Sequence, residues 1–343
     1  MRLWYRTYNL PFRDPFTISK GTKTHQPTLI VALEHLGHVG FGEAPAINYY
    51  NISTEQMVAD LERKKLFVEK FAFTEPERYW HYLHHLYPAN PFLVCALDIA
   101  GWDLFGKMKR RPISEFWAPG APLKPRTDFT IGIDDTQKMV EKMNAKPWPL
   151  YKIKLGTDRD IEIITELRKH TDAPFRVDAN AAWSVEEAIT KIDALAKLGV
   201  ELVEQPLAKD DWEGMKRLMQ LSALPLIADE SCVKEEDVEK CAGHFHGINI
   251  KLTKCSGITP ALRMIEAARK LGLTIMIGSM NETTVGSAAI AHLSGLADYI
   301  DADGPMLLAQ DLATGLDYNE DGRISTSGEP GLGIQFNPEP YES

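Results

Sequence analysis

Two lysines one residue apart, Lys152 and Lys154, open a series of charged positions that runs down the second half of the chain. They sit in Leu150-Tyr-Lys-Ile-Lys-Leu155. Asp178 follows in Phe175-Arg-Val-Asp-Ala-Asn180, Glu204 in Glu201-Leu-Val-Glu-Gln-Pro206, and Asp229 in Leu226-Ile-Ala-Asp-Glu230. Lys251 closes Gly247-Ile-Asn-Ile-Lys-Leu252, and Asp301 and Asp303 lie in Asp298-Tyr-Ile-Asp-Ala-Asp-Gly304. Each charge ends a short apolar run of strand character. From Lys154 the steps to 178, 204, 229 and 251 are 24, 26, 25 and 22 residues. A period in the twenties, strand then amphipathic stretch, is the length of one βα unit of a (β/α) barrel. Side chains that close successive strands of such a barrel meet around one mouth, where an active site is expected.

Asp178, Glu204 and Asp229 bring three carboxylates to that mouth. Like charges in one place raise one another's pKa unless a cation neutralises them. A hard divalent ion with oxygen ligands does so, and Mg²⁺ keeps open positions for water or substrate. No His or Cys shares their register, which disfavours zinc. Asn180, on the same face as Asp178, is placed to bond a ligand carboxylate from outside. Lys152 and Lys154 share the face that points into the barrel, where lysine is costly unless paired or functional. They are either counter-ions for the carboxylates or reacting amines whose pKa a nearby metal lowers. Lys251, on the sixth strand, stands opposite the second in a closed ring of eight. A substrate carboxylate held by the cation and Lys152 would lose its α-proton to give an enolate, with charge developing where the cation sits. One base gives elimination or isomerisation, whereas two bases on opposite faces allow inversion of the carbon.

The elements that must position these groups are legible as well. Strand patterns occupy 126–132, 149–155, 175–179, 200–204, 225–229, 247–252, 273–278 and 298–302. Helical patterns such as Asp160 to His170 and Val185 to Leu198 lie between them. Ser184 with Glu187 three residues on predicts a capping box. The first hundred-odd residues break the rhythm. Strands are expected at Arg2 to Leu10, Thr28 to Leu33 and His38 to Gly42, with a loop from Pro11 to Gln26. Helices are expected at Thr54 to Phe71, Pro76 to Leu86 and Pro91 to Lys109. Ala118-Pro-Gly-Ala-Pro-Leu-Lys-Pro125 reads as a boundary. The expected organisation is an α+β domain over 1–120, an α/β barrel over 121–310, and a segment 311–343 that returns to the first domain.

A chain of 343 residues, 44% hydrophobic and 25% charged, has room for one barrel and a smaller domain. Its net charge of −10 disfavours a nucleic-acid partner. No run reaches membrane-spanning length, and Met1-Arg-Leu-Trp-Tyr-Arg lacks the pattern of a signal peptide. Cys95, Cys232, Cys241 and Cys255 show no metal-ligand spacing and read as reduced thiols of a cytoplasmic protein.

The Lys-x-Lys, the three strand-end carboxylates and the later lysine resemble the enolase superfamily, muconate-lactonising subgroup. Val39-Gly-Phe-Gly-Glu-Ala-Pro45 is similar to the subgroup's cap-domain signature, and Ile277-Gly-Ser-Met-Asn-Glu-Thr283 to its seventh-strand signature. Asp301-Ala-Asp303 resembles the Asp-x-Asp of dipeptide epimerases, which holds the ammonium of the N-terminal residue. The resemblance implies a modified TIM barrel with an N-terminal capping domain completed by the C-terminal segment. It implies Lys154 and Lys251 as acid/base residues, Lys152, Thr130, Ser279, Asp301 and Asp303 as substrate residues, and Asp178, Glu204 and Asp229 as ligands of one Mg²⁺ per subunit. A dipeptide substrate is implied, L-Ala-D/L-Glu first, with Lys20, Lys23 or Arg13 reading an acidic side chain. A homo-oligomer is expected. Open alternatives are an epimerase of hydrophobic or other dipeptides, a muconate cycloisomerase, an o-succinylbenzoate synthase, an N-acylamino-acid racemase, or a barrel that only binds a metal and a carboxylate.

Overall fold

The computed structural model describes residues 1–120 and 125–337. The chain opens with an antiparallel sheet of β1 (Arg2–Ile18), β2 (Gly21–His35) and β3 (His38–Pro45), with β2 in the centre. Helices α1 (Thr54–Lys70), α2 (Pro76–Leu86) and α3 (Pro91–Lys109) follow. The expected loop from Pro11 to Gln26 is instead the far end of the β1–β2 hairpin. Its Pro and Gly do not interrupt pairing because Pro15 falls in a bulge between Pro11 and Phe16, and Gly21 just after the turn, where φ is +136°. The two glycines of the Val39–Pro45 segment have a packing reason. A Cβ on Gly40 or Gly42 would stand 2.2 or 1.9 Å from the Ala100 or Ala96 carbonyl oxygen of α3. Close approach there turns Glu43 to the other face of β3.

Eight parallel strands then follow in sequence order: β4 (Phe129–Ile131), β5 (Tyr151–Lys154), β6 (Phe175–Asp178), β7 (Val200–Glu204), β8 (Leu226–Ala228), β9 (Gly247–Lys251), β10 (Thr274–Gly278) and β11 (Tyr299–Ile300). A bridge between Thr127 and Ile300 closes the ring. The helices outside it are α4 (Thr136–Ala145), α5 (Asp160–Arg168), α6 (Val185–Lys197), α7 (Trp212–Leu221), α8 (Glu235–Cys241), the single-turn α9 (Leu252–Cys255), α10 (Ile258–Lys270) and α11 (Thr284–Leu293). The capping box of Ser184 and Glu187 starts α6. After β11, among the described residues, one turn of helix forms, over Gly304–Leu307. The fold is therefore a modified TIM barrel with an N-terminal capping domain. Most of the apolar core lies between the strands and the outer helices. Inside the ring, among the described residues, Leu202, Ile227 and Met276, with Tyr299, form a small apolar floor.

The chain after the barrel lies against the first domain. Phe336 stacks on Phe41 at 4.9 Å between ring centroids, and the Leu332 N–H donates to Asp103 at 2.8 Å. The expected boundary segment falls partly on residues 121–124 and the chain end on 338–343, both outside the described residues. No helix among the described residues is long and apolar enough to cross a membrane.

The first domain also grips the barrel through Asp98 of α3, which accepts the Thr259 N–H at 3.0 Å and the Thr259 hydroxyl at 2.7 Å at the start of α10. Burial pushes the Asp98 carboxyl up to about 7 against those bonds. The folded protein thus keeps a proton that the unfolded chain releases near pH 4. That contribution to stability is complete below about pH 4 and is lost as pH rises through about 7. Asp98→Asn should flatten the fall in unfolding free energy between about pH 5 and pH 7, by on the order of 1–3 kcal/mol. Urea denaturation at the two pH values measures it, and equal slopes in both proteins would refute the assignment.

Candidate active site

The strand ends surround a cavity of about 530 Å³, roofed by the β1–β2 hairpin tip and by Tyr49 and Tyr50. Asp178, Glu204 and Asp229 end three adjacent strands, and their carboxylates offer oxygens all within 4.8 Å of one another. Each is buried. Asp178 Oδ2 accepts from Lys154 at 2.6 Å, and its Oδ1 accepts the Asn180 backbone N–H at 2.9 Å. The Asn180 bond thus comes from the main chain and not from the amide side chain. Residues 180, 181 and 205, just beyond β6 and β7, take left-handed conformations, with φ of 45°, 62° and 34°, so these strand ends carry backbone strain. Asp229 Oδ2 accepts from Lys251 at 2.7 Å and Oδ1 from Lys254 at 2.6 Å. Glu204 Oε1 accepts from Asn249 at 2.8 Å. Its Oε2 lies 2.7 Å from Lys152 Nζ, yet outside the angles of a hydrogen bond, and has no bonded donor.

The electrostatics follow from this crowding. Burial pushes the Glu204 carboxyl up to about 7, and Asp178 adds to the rise. Burial acts on Asp229 likewise, but Lys251 and Lys254 override it and hold the group well below the usual carboxylate range. For Lys152 and Lys251 burial alone would lower the pKa, and the surrounding carboxylates reverse the sign. Among these partners the Lys152 and Lys251 ammonium groups are held up by the carboxylates that surround them. A cluster of buried oxygens with no nitrogen or sulfur donor, one of them lacking a hydrogen-bond donor, fits a hard divalent cation.

Lys154 and Lys251 both line the cavity. Their strands β5 and β9 are four places apart in the eight-strand order, so they stand on opposite walls. Lys152, 1% exposed, is surrounded by Asp301 and Glu204 at 2.7 Å and Asp178 at 3.6 Å. Asp301, Asp303 and Asp128 form a second close group of carboxylates. Asp301 Oδ1 has no hydrogen-bond donor, whereas Asp303 Oδ2 accepts the Thr130 N–H at 2.6 Å. Burial, then Asp301, push the Asp303 carboxyl up to about 7. Below them Arg176 donates to Asp128 at 2.9 Å. Thr130 and Ser279 line the same cavity.

Of the three cations expected to read a substrate side chain, the structure separates each. Arg13 donates to the Met306 carbonyl and lines a neighbouring groove, not this cavity. Lys20 pairs with Glu230 at 3.2 Å and sits 3.9 Å over the Tyr49 ring. Lys23 lines the cavity without an ion pair among the described residues, and burial lowers its pKa.

Several contributors escape a reading of strand ends alone. Lys254 donates to the Asp229 carboxylate and to the carbonyls of Asp229, Cys232 and Asn249. Gln205 Oε1 accepts the N–H groups of Asp229 and Ser231. Asn249 was findable, since it lies two residues before Lys251 and so on the same inward face. Lys254 follows Lys251 by three residues, which on a helical turn brings it back to the same side.

Residues 3–117 match the mandelate racemase / muconate lactonizing enzyme N-terminal domain, and residues 135–340 match the enolase C-terminal domain-like family. The chain belongs to the enolase superfamily. Within that superfamily it is 50% identical over 334 residues, 97% of this chain and 99% of the other, to a Flavobacterium johnsoniae protein named L-Ala-D/L-amino acid epimerase. It superposes with a TM-score of 0.91 at 30% identity on a substrate-liganded complex of the L-Ala-D/L-Glu epimerase from Bacillus subtilis, covering 97% and 98% of the two chains. A dipeptide epimerase from Enterococcus faecalis, complexed with Mg and L-Leu-L-Tyr, superposes at 0.89 with 30% identity and the same coverage.

Loss of an outer partner of a metal ligand typically weakens binding about 10–100-fold, and loss of a ligand should exceed the lower figure. Calorimetric titration with Mg²⁺ should therefore show Glu204→Gln binding at least about tenfold more weakly than wild type. Equal affinities would remove Glu204 from the metal site.

Proposed function

We propose that this chain is a Mg²⁺-dependent dipeptide epimerase, an isomerase that inverts the α-carbon of the C-terminal residue by two-base proton transfer through an enolate. The observation that carries the reading is the placement of Lys154 and Lys251 on opposite walls of one cavity, with Asp178, Glu204 and Asp229 at its base and Asp301 and Asp303 at its side. Asp178, Glu204 and Asp229 would hold Mg²⁺, which when bound would stabilise negative charge developing on the substrate carboxylate. Lys152, enclosed by three carboxylates, remains an ammonium and holds that carboxylate. Lys154 and Lys251 each bond one metal-site carboxylate and reach the cavity, which suits them to take and return the α-proton. Asp301, with an oxygen that has no hydrogen-bond donor, and Asp303 suit the substrate ammonium. Thr130 fixes Asp303 through its N–H, and Ser279 completes the wall.

Two of the named relatives share an L-Ala N-terminus and differ in the second residue, D/L-amino acid in one and D/L-Glu in the other, whereas the Enterococcus faecalis enzyme is complexed with L-Leu-L-Tyr. Lys23 is the cavity cation suited to an acidic second side chain, because Lys20 is occupied by Glu230. We assign L-Ala-D/L-Glu as a substrate, with a place in cytoplasmic turnover of murein peptides.

The two-base assignment is tested by α-proton exchange in D₂O, read by mass spectrometry. Lys154→Ala should keep exchange for one epimer only and Lys251→Ala for the other, with net epimerisation lost in both. Near-wild-type interconversion by either variant would remove that lysine from the chemistry. For the side chain, Lys23→Ala should lower kcat/KM on L-Ala-L-Glu by roughly tenfold to a hundredfold and leave L-Ala-L-Leu nearly unchanged. A uniform loss on both dipeptides would place Lys23 in general lid packing instead.

A further inference from the structure

Glu43 lies on β3 of the capping domain, buried and facing the barrel. It accepts the Thr28 hydroxyl at 2.9 Å within its own sheet. Across the domain boundary it accepts the Thr283 N–H at 3.1 Å, the Thr283 hydroxyl at 2.6 Å and the Gly286 N–H at 2.9 Å. Those donors are the N-cap and first turn of α11, so a carboxylate of one domain satisfies the helix start of the other. Thr283 also caps α11 from within, its hydroxyl oxygen accepting the Val285 N–H at 3.2 Å, so Glu43 adds to that cap from the other domain.

The segment that Glu43 holds is Ser279–Thr283, and Ser279, Met280 and Asn281 line the substrate cavity. Asn281 takes a left-handed φ of 67°, a conformation that needs support from its surroundings. Glu282 supplies part of it by accepting the Met280 N–H at 2.6 Å. The loop is also clamped from the other side. A Cβ on Gly304 would stand 2.1 Å from the Glu282 carbonyl oxygen, so the turn directly after Asp303 is pressed onto this loop. On the cap side, Glu43 pairs with Ile30 of β2, whose other end is the hairpin tip roofing the cavity. One buried group thus joins the roof of the cavity to two segments of its wall.

We propose that Glu43 is a positioning residue that sets the register of the cap hairpin and of the Ser279–Glu282 loop around the bound substrate. It touches no reacting atom. The kinetic arm of its test rests on the epimerase reading above, and the exchange arm does not.

Two variants probe it, Glu43→Gln, which replaces one acceptor oxygen by a donor and leaves the Thr283 cap on Val285 in place, and Thr283→Val, which removes one donor to Glu43 together with that cap and leaves the carboxylate, so that for Thr283→Val the peptide covering 15–26 carries the decision. Amide hydrogen–deuterium exchange, read by mass spectrometry on the full chain, should speed up in peptides covering 15–26 and 279–287. Peptides covering β6 to β8 and the affinity for Mg²⁺ should stay as in wild type. For L-Ala-L-Glu, KM should rise by about fivefold to a hundredfold while kcat stays within about threefold, the pattern of lost uniform binding. Wild-type exchange at 15–26 and 279–287 in the folded variants overturns the proposal. So does faster exchange spread evenly over the barrel, which is general destabilisation. Should Glu43→Gln fail to fold, Thr283→Val decides by the exchange at 15–26. If wild type turns over no dipeptide, the epimerase reading fails and the exchange pattern still decides the role of Glu43.

Discussion

The structure is organised around a constraint of electrostatics: carboxylates buried within a few ångströms of one another must be neutralised from all sides. Asp178, Glu204 and Asp229 meet inside the ring with Asp301, Asp303 and Asp128 beside them. Their burial weakens solvent screening, and the protein lines the same space with Lys152, Lys154, Lys251, Lys254 and Arg176. The barrel interior is therefore a charge lattice above a thin apolar floor of Leu202, Ile227 and Met276. Its cohesion has to come from elsewhere, from the shell of helices packed on the outer face of the strands and from the separate core of the capping domain. The site departs from the rule of an apolar centre, and the surrounding layers compensate.

The same constraint makes the capping domain necessary. Charges at an open barrel mouth would be solvated, and their interactions with substrate would weaken as the local dielectric rises. The hairpin tip closes that mouth and is tied down at several points: Lys20 pairs with Glu230, Thr17 accepts the Ile133 N–H, and Arg13 reaches the Met306 carbonyl. Each tie joins a residue of the first domain to one far along the chain. Helix starts in the barrel complete the docking, Thr259 on Asp98 and Thr283 on Glu43.

What the sequence makes legible is what depends on period and residue type. Strand ends spaced about one βα unit apart place Lys154, Asp178, Glu204, Asp229 and Lys251 in one ring, and the structure brings them to one cavity or its base. The far end of the hairpin reads as a loop because Pro11, Pro15 and Gly21 are breakers in local terms, and only the pairing of β1 with β2 shows that they flank a bulge and a turn. Lys20 and Lys23 look alike in sequence, three residues apart. Their difference is tertiary, since Glu230 and Tyr49 belong to other segments. Lys254 and Gln205 act through bonds to residues on neighbouring strands, which no single-strand pattern encodes.

The lysines look at first like a choice between counter-ion and catalyst, and the partner sets dissolve the choice. A lysine that must hold charge permanently needs several carboxylates, and Lys152 has Asp301, Glu204 and Asp178. A lysine that must part with a proton and regain it needs enough negative charge to be tolerated in a barrel, and no more than a competing cation can replace. Lys154 leans on Asp178 alone, and Lys251 on Asp229, which Lys254 already shares. A cation held by Asp178, Glu204 and Asp229 would share in that neutralisation, and Lys154 and Lys251 both line the cavity. On the reading proposed above, holding the carboxylates together and handling a proton would be two uses of one arrangement, distinguished by where the positive charge sits.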